Sequence, residues 1–237
     1  MKTKVYFLPG TMCDSRLWLE LWAELTKVDN SFEFIHLSIP VQKTIDEIVL
    51  ALAEQLPEDK VNLLGFSQGG YLASAFACQY PERMSTLINL SNAPNTLPET
   101  EVATRDKIIL WVEAQGYSGI TLARIKTFLD VSNHSNIQII ERIKQMDSHF
   151  GQSGLLQQLK STTVRKNLLP QLEETEFPML FCYGDKDLLV KSETIKKLSS
   201  VNSVIRHYQF SNCGHMLPLE QPQLLAQILS NFLTQHS

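Results

Sequence analysis

The chain has 237 residues, 43% of them hydrophobic and 19% charged, with a formal net charge of -4. This is ordinary globular composition, long enough for one sizeable core and an insertion, with no internal repeat, low-complexity tract or Pro/Gly-rich linker. The mildly acidic balance and the lack of a basic cluster argue against nucleic acid or an anionic membrane as the main partner and leave a small molecule as the expected one.

The first apolar run stops at Pro9, too short for a secretory core or a membrane span, and reads as the first strand of a cytoplasmic protein. Short apolar runs at 4–8, 33–37, 61–64, 86–90, 179–183 and 204–209 predict strands. Between them, apolar residues spaced i, i+3, i+4 predict helices over 16–25, 44–56, 68–79, 193–198 and 223–233. Such alternation predicts an α/β fold: a mainly parallel sheet with helices on both faces. From about Asn92 to Pro170 no strand-like run occurs, and residues 92–170 read as an inserted all-helical cap within a core of 1–91 and 171–237. Its helices are expected at 102–112, 122–129, 137–150 and 155–159, with Gly116, Gly119, Gly151 and Gly154 at helix ends.

Cys13, Cys78, Cys182 and Cys213 are widely spaced, without a C-x-x-C pair, so reduced and mostly buried thiols are expected. No metal-ligand spacing or phosphate-cradling glycine loop is visible, and no cofactor is expected.

The most informative segment is Val61-Asn-Leu-Leu-Gly-Phe-Ser-Gln-Gly-Gly70, where one serine stands between two glycines at a strand-to-helix junction. Gly65 and Gly69 permit the sharp turn, because Cβ atoms there would meet crossing backbone, and Ser67 is left exposed at the helix N-terminus. A serine hydroxyl needs a base to take its proton and a carboxylate to orient that base. Both are available downstream: Asp185 and Asp187 follow the strand ending at Gly184, and Cys213-Gly-His215 follows a later strand. Strand periodicity does not choose between the two acids, which lie beyond the strand end. His134 and His149 have no comparable setting.

In the G-x-S-x-G turn and the order Ser, Asp, His, nearly the whole chain resembles the α/β-hydrolase superfamily. The resemblance implies a Ser67 nucleophile, a His215 base and Asp187, three residues after the strand-ending glycine, as the acid, with Asp185 a solvated turn residue. It further implies an oxyanion hole made by the backbone N–H groups of Gln68 and Thr11. The loop Leu8-Pro-Gly-Thr-Met-Cys-Asp14 stands where the superfamily has His-Gly-x, with Pro9 in place of the histidine and Met12 as the neighbouring candidate donor. Trp18 is expected beneath that loop, and Glu220 either steadies the histidine loop or is exposed. Trp111, Tyr117, Phe128, Met146 and Phe150 are candidate pocket residues, although simple packing is the commoner reading. Arg105 and Arg124 are candidate carboxylate contacts, with a solvated helix face the commoner reading.

The implied activity is cleavage of a small ester, thioester or related acyl bond through a Ser67 acyl-enzyme. Two rivals stay open. Capped members such as the menaquinone-pathway synthase use serine and histidine for proton abstraction, and others cleave carbon–carbon bonds, so a lyase or carbon–carbon bond hydrolase acting on a carboxylated substrate is the first. The second is a ligand receptor that keeps the pocket without turnover. Oligomeric state is not legible in the sequence.

Overall fold

The computed structural model describes residues 2–236, so Met1 and Ser237, the ends of the expected core, lie outside the described residues. The predicted apolar runs become strands β1 (Thr3–Leu8), β2 (Phe32–His36), β3 (Val61–Phe66), β4 (Met84–Leu90), β5 (Met179–Gly184) and β6 (Ile205–Phe210). They form one sheet in the order β2-β1-β3-β4-β5-β6, and every neighbouring pair is parallel. Parallel neighbours need a return path across the sheet, and helices provide it. These are α1 (Leu19–Val28), α2 (Ile45–Gln55) and α3 (Gln68–Gln79) in the first half. Between β4 and β5 come α4 (Glu99–Gln115), α5 (Leu122–Lys126), α6 (Ile137–Thr162) and α7 (Leu169–Glu173). The last three are α8 (Ser192–Val201), α9 (Leu217–Glu220) and α10 (Pro222–His236).

Successive side chains of a strand point to opposite faces, and here both faces are covered. Val5 and Phe7 of β1 enter a core with α1 and α10, whereas Tyr6 and Leu8 enter the core made with α2, α3 and α8. Helix α3 is buried on nearly its whole circumference, from Gln68 to Ala77, which is why its sequence is small and apolar without a polar stripe. Helix α2 starts where Thr44 and Glu47 form a reciprocal capping box, satisfying two first-turn amides. The chain leaves β1 toward one edge, to β2, and later leaves β3 toward the other, so loops after β1 and β3 part at the C-terminal end of the sheet and open a crevice there.

Local outcomes differ from the sequence reading in the insertion and near the N-terminus. The helix expected over 16–25 begins as a 3-10 turn, Ser15–Trp18, because Asp14 caps it through the Arg16 N–H at 3.0 Å. The helices expected at 137–150 and 155–159 are continuous in hydrogen bonding but broken at Gly151, whose φ of 57° and ψ of -157° are non-helical. Gly154 lies inside the second half, not at an end, while Gly116 does close α4. The helix expected over 122–129 stops after Lys126 and is followed by a short 3-10 turn, Val131–Asn133. Among the described residues no helix is long and apolar enough to cross a membrane.

Candidate active site

Ser67 stands at the crevice, between the end of β3 and the start of α3, with φ 51° and ψ -115°. A non-glycine residue rarely adopts such angles, and the surroundings enforce them: the Ser67 N–H donates to the Leu90 carbonyl at 2.8 Å. Flanking space is absent, since a Cβ on Gly65 would lie 2.2 Å from the Gly69 carbonyl oxygen and one on Gly69 would lie 2.3 Å from that of Pro9. Sharp turn and strained serine are therefore one packing solution.

His215 follows β6 and is buried. Its Nε2 lies 3.0 Å from Ser67 Oγ, and its Nδ1 lies 2.8 Å from Asp187 Oδ2. The ring sits against Phe66 and Phe128, with centroids 5.3 and 6.0 Å away, and the His215 N–H donates to the Phe128 carbonyl at 2.7 Å. Asp187 has a fully buried side chain; its Oδ1 accepts from the Leu189 and Val190 N–H groups at 2.8 and 3.2 Å. These bonds leave Oδ2 aimed at the imidazole. Asp185 has another task from the expected solvated turn: it accepts from the Cys213 N–H at 3.2 Å and ties the loop after β5 to the histidine loop.

The loop after β1 reaches the same point. Thr11 Oγ1 donates to Gln68 Oε1 at 2.6 Å, so the two residues whose amides face the oxyanion question are joined through their side chains. Gln68 is the first residue of α3, and its N–H belongs to the unpaired first turn of that helix. Met12, at φ 56°, spends its N–H on Gln158 Oε1 at 2.8 Å and is thus engaged elsewhere. Trp18 is wholly buried against Phe7 and Phe66 and lines neither pocket that reaches Ser67.

A cavity of about 400 Å³ opens on Ser67 and His215. Trp111, Tyr117, Phe128 and Met146 line it, as do Arg105 and Arg124, which the sequence reading had favoured as solvated helix faces. Phe150 does not line it and packs on His149 instead. Arg124 lies over the Phe128 ring at 4.6 Å, and Arg105 pairs with Glu101 at 3.0 Å. Cys13 lines the cavity, but burial pushes its thiol up to about 12, which keeps it protonated and unreactive. Cys213 is raised in the same way, chiefly by burial. Among the described residues no cluster of three or more His, Cys, Asp or Glu is arranged to hold a metal.

Glu220 steadies the histidine loop. Its carboxylate accepts from the Gly214 N–H at 3.0 Å, the Asp130 N–H at 2.7 Å and Asn133 Nδ2 at 3.1 Å, and burial raises its pKa above the ordinary 4.5. Two contributors were missed in the sequence: Gln158 and the Phe128 carbonyl. A main-chain carbonyl leaves no residue-type signal. Gln158 did leave one, as a polar residue on the stripe formed with Leu155, Leu159 and Thr162.

The family model described as alpha/beta hydrolase fold matches residues 41–222. A Bacillus subtilis (strain 168) protein, provisionally named 2-succinyl-6-hydroxy-2,4-cyclohexadiene-1-carboxylate synthase, is 32% identical over 76% of this chain and 68% of its own. The pimeloyl-[acyl-carrier protein] methyl ester esterase of Aeromonas hydrophila is 24% identical over 81% of this chain and 78% of its own. Among solved structures, a thermophilic esterase from Thermogutta terrifontis superposes with a TM-score of 0.84 at 22% identity, covering 100% of this chain and 92% of the other, which speaks to the fold.

Proposed function

The chain belongs to the alpha/beta hydrolase fold family, and on that premise we propose that it is a serine hydrolase cleaving a small ester, thioester or related acyl bond. The observation that carries this reading is the chain of contacts Ser67 Oγ to His215 Nε2 at 3.0 Å and His215 Nδ1 to Asp187 Oδ2 at 2.8 Å. In it His215 takes the Ser67 proton as the serine attacks the acyl carbon. Asp187 holds the imidazole tautomer and stabilises the imidazolium. The oxyanion that forms is received by the Gln68 and Thr11 amides, with the α3 N-terminus adding its positive end; such a pair lowers a barrier by several kcal/mol. His215 then returns the proton to the leaving group, and in the second half it activates the water that releases the acid. The largely apolar cavity of about 400 Å³ suits a small acyl group better than a polymer.

Intact-mass measurement after exposure to a fluorophosphonate tests the reading. Wild type is expected to gain one adduct, and Ser67→Ala and His215→Ala none. A folded wild type that stays unlabelled would overturn it.

Arg105 and Arg124 at the cavity favour a second reading, in which Ser67 and His215 serve proton abstraction or carbon–carbon cleavage on a carboxylated substrate. The provisional synthase name of the Bacillus relative points the same way. Turnover in water labelled with heavy oxygen separates hydrolysis, which places label in an acid product, from elimination, which does not, and the co-product separates the two hydrolyses: an alcohol or thiol from an acyl bond, a new carbon–hydrogen bond from carbon–carbon cleavage.

A further inference from the structure

Arg165 is a charge that the chemistry above leaves unused. It lies on the segment between α6 and α7, half-buried, and forms no ion pair among the described residues. Its Nε is buried and has no hydrogen-bond partner among them. The guanidinium rests on the Tyr71 ring at 4.7 Å, and the Tyr71 hydroxyl donates to the neighbouring Lys166 carbonyl at 2.9 Å, so ring and main chain hold it in place. Stacking occupies the face of a guanidinium and keeps its edge available for a planar acceptor. Burial chiefly, and then the charge of Arg105, lower its pKa to about 10, which leaves it cationic at neutral pH. A half-desolvated charge without a counter-ion is costly to a fold, and a ligand of opposite sign offsets that cost.

Arg165 and Tyr71 stand between two pockets, one of about 620 Å³ that runs past Lys43 and Gln171 and one that reaches Ser67; the unpartnered polar atoms favour the second. This second pocket, of about 280 Å³, shares Ser67, Arg105 and His215 with the cavity of about 400 Å³. Three further polar atoms on residues of this pocket are buried without partners: Gln68 Nε2, Ser91 Oγ and Asn92 Oδ1. Each belongs to a side chain more than nine-tenths buried. Unsatisfied buried groups are uncommon, and four of them around one pocket mark a place where a polar ligand completes the hydrogen bonding. Glu101 compensates Arg105 at 3.0 Å, so among the described residues Arg165 is the one uncompensated guanidinium of this pocket, while Lys191, its other unpaired cation, is exposed to solvent. One such fork matches a monoanionic carboxylate better than a phosphate dianion.

We propose that this pocket is a carboxylate subsite in which Arg165 receives an anionic group carried by the substrate, on a different arm from the one that fills the apolar cavity. Gln68 Nε2 and Ser91 Oγ donate its remaining hydrogen bonds, and Asn92 Oδ1, which can only accept, takes a hydrogen bond from a hydroxyl or amide of the same ligand. The proposal rests on Ser67 being the reacting residue, and it narrows the substrate to a two-armed molecule, apolar on one side of the scissile bond and singly charged on the other.

The test uses matched esters that differ only in a carboxylate. On the acyl side the pair is 4-nitrophenyl hydrogen glutarate and 4-nitrophenyl pentanoate; on the leaving-group side it is 4-acetoxybenzoate and its methyl ester. One pair is expected to show a preference in kcat/KM of about tenfold or more for the charged member, the size a charged hydrogen bond commonly contributes. In Arg165→Gln that ratio collapses toward one, and Arg165→Lys recovers part of it. Because the reading is a ratio within each protein, a general loss of activity from a disturbed fold cancels. No preference in wild type, or a preference that survives Arg165→Gln, would overturn the subsite. Fluorophosphonate labelling in parallel reports on Ser67: labelled enzyme without charge preference defeats the subsite alone. If Ser67 is unlabelled, calorimetric binding of the same pairs to Ser67→Ala, with and without Arg165→Gln, reads the same ratio.

Discussion

The core and the helical insertion both reach Ser67, but they hold their parts of the site by different means. In the core the determinant is main chain packed against main chain. Gly65 faces the Gly69 carbonyl, the Ser67 amide is fixed on β4, and Asp187 is locked by the amides that follow it. The insertion reaches the oxyanion loop instead through a side chain, Gln158 on the Met12 amide, and packs main chain on main chain at the histidine loop, where the Phe128 carbonyl receives the His215 amide and a Cβ on Gly214 would lie 2.6 Å from it. Close backbone packing has almost no slack, whereas a side chain on a helix can be replaced or can shift with it. The candidate serine and its acid are thus held by close backbone packing, whereas Gln158 and much of the cavity wall come from helices of the insertion.

Substitution at the acids gives the sharpest test of this contrast. Asp187→Asn should lower kcat by roughly 10⁴, as loss of the orienting carboxylate does in such triads, while Asp185→Asn should cost less than about tenfold. Comparable losses for both would mean that loop bracing, not imidazole orientation, dominates. Next comes Gly65→Ala, whose Cβ would lie 2.2 Å from a carbonyl oxygen; destabilisation above about 4 kcal/mol is expected in denaturant unfolding, and a mild effect would show that the turn has slack after all.

Glu220 joins the two regions, so its removal should act on both. Glu220→Ala leaves two amides and Asn133 without their acceptor and should cost about 2–3 kcal/mol. Its pH dependence has a definite sign. The folded chain holds the Glu220 proton above the ordinary 4.5, where the unfolded chain has released it, so this group's contribution favours the fold at low pH and is lost as pH rises from 4.5 through the raised value. Unfolding curves across that window should show the slope in wild type and not in Glu220→Ala.

Within the insertion, Gln158→Leu frees the Met12 amide and should lower kcat by about tenfold through a looser oxyanion loop, with little change in KM. An unchanged kcat would detach the insertion from the chemistry. The mildest change is Gly151→Ala, where open space but a positive φ predicts about 1–3 kcal/mol, read as a shift in Tm.

Much of this was legible because the features concerned are local. The strand runs, the break in alternation after Asn92 and the glycines around Ser67 are written in consecutive residues, and their periods and steric demands act over a few positions. The insertion was read less well. Leu155 and Leu159 looked like a separate helix because a sequence pattern cannot tell a break from a kink, and the hydrogen bonding that carries α6 past Gly151 is a matter of backbone angles. Asp185 and Arg165 were misjudged or unseen for a different reason: their roles depend on partners 28 and 94 residues away, Cys213 and Tyr71.

By itself, then, the amino-acid order determined the alternation of strands and helices, the turn that exposes Ser67, and the chain order of the candidate serine, acid and histidine. Only the tertiary structure decided which acid meets His215, that Met12 is already engaged, and that an uncompensated arginine lines a pocket reaching the serine. Spacing and steric bulk act along the chain, whereas hydrogen-bond partnership and desolvation depend on which distant segments the sheet brings together.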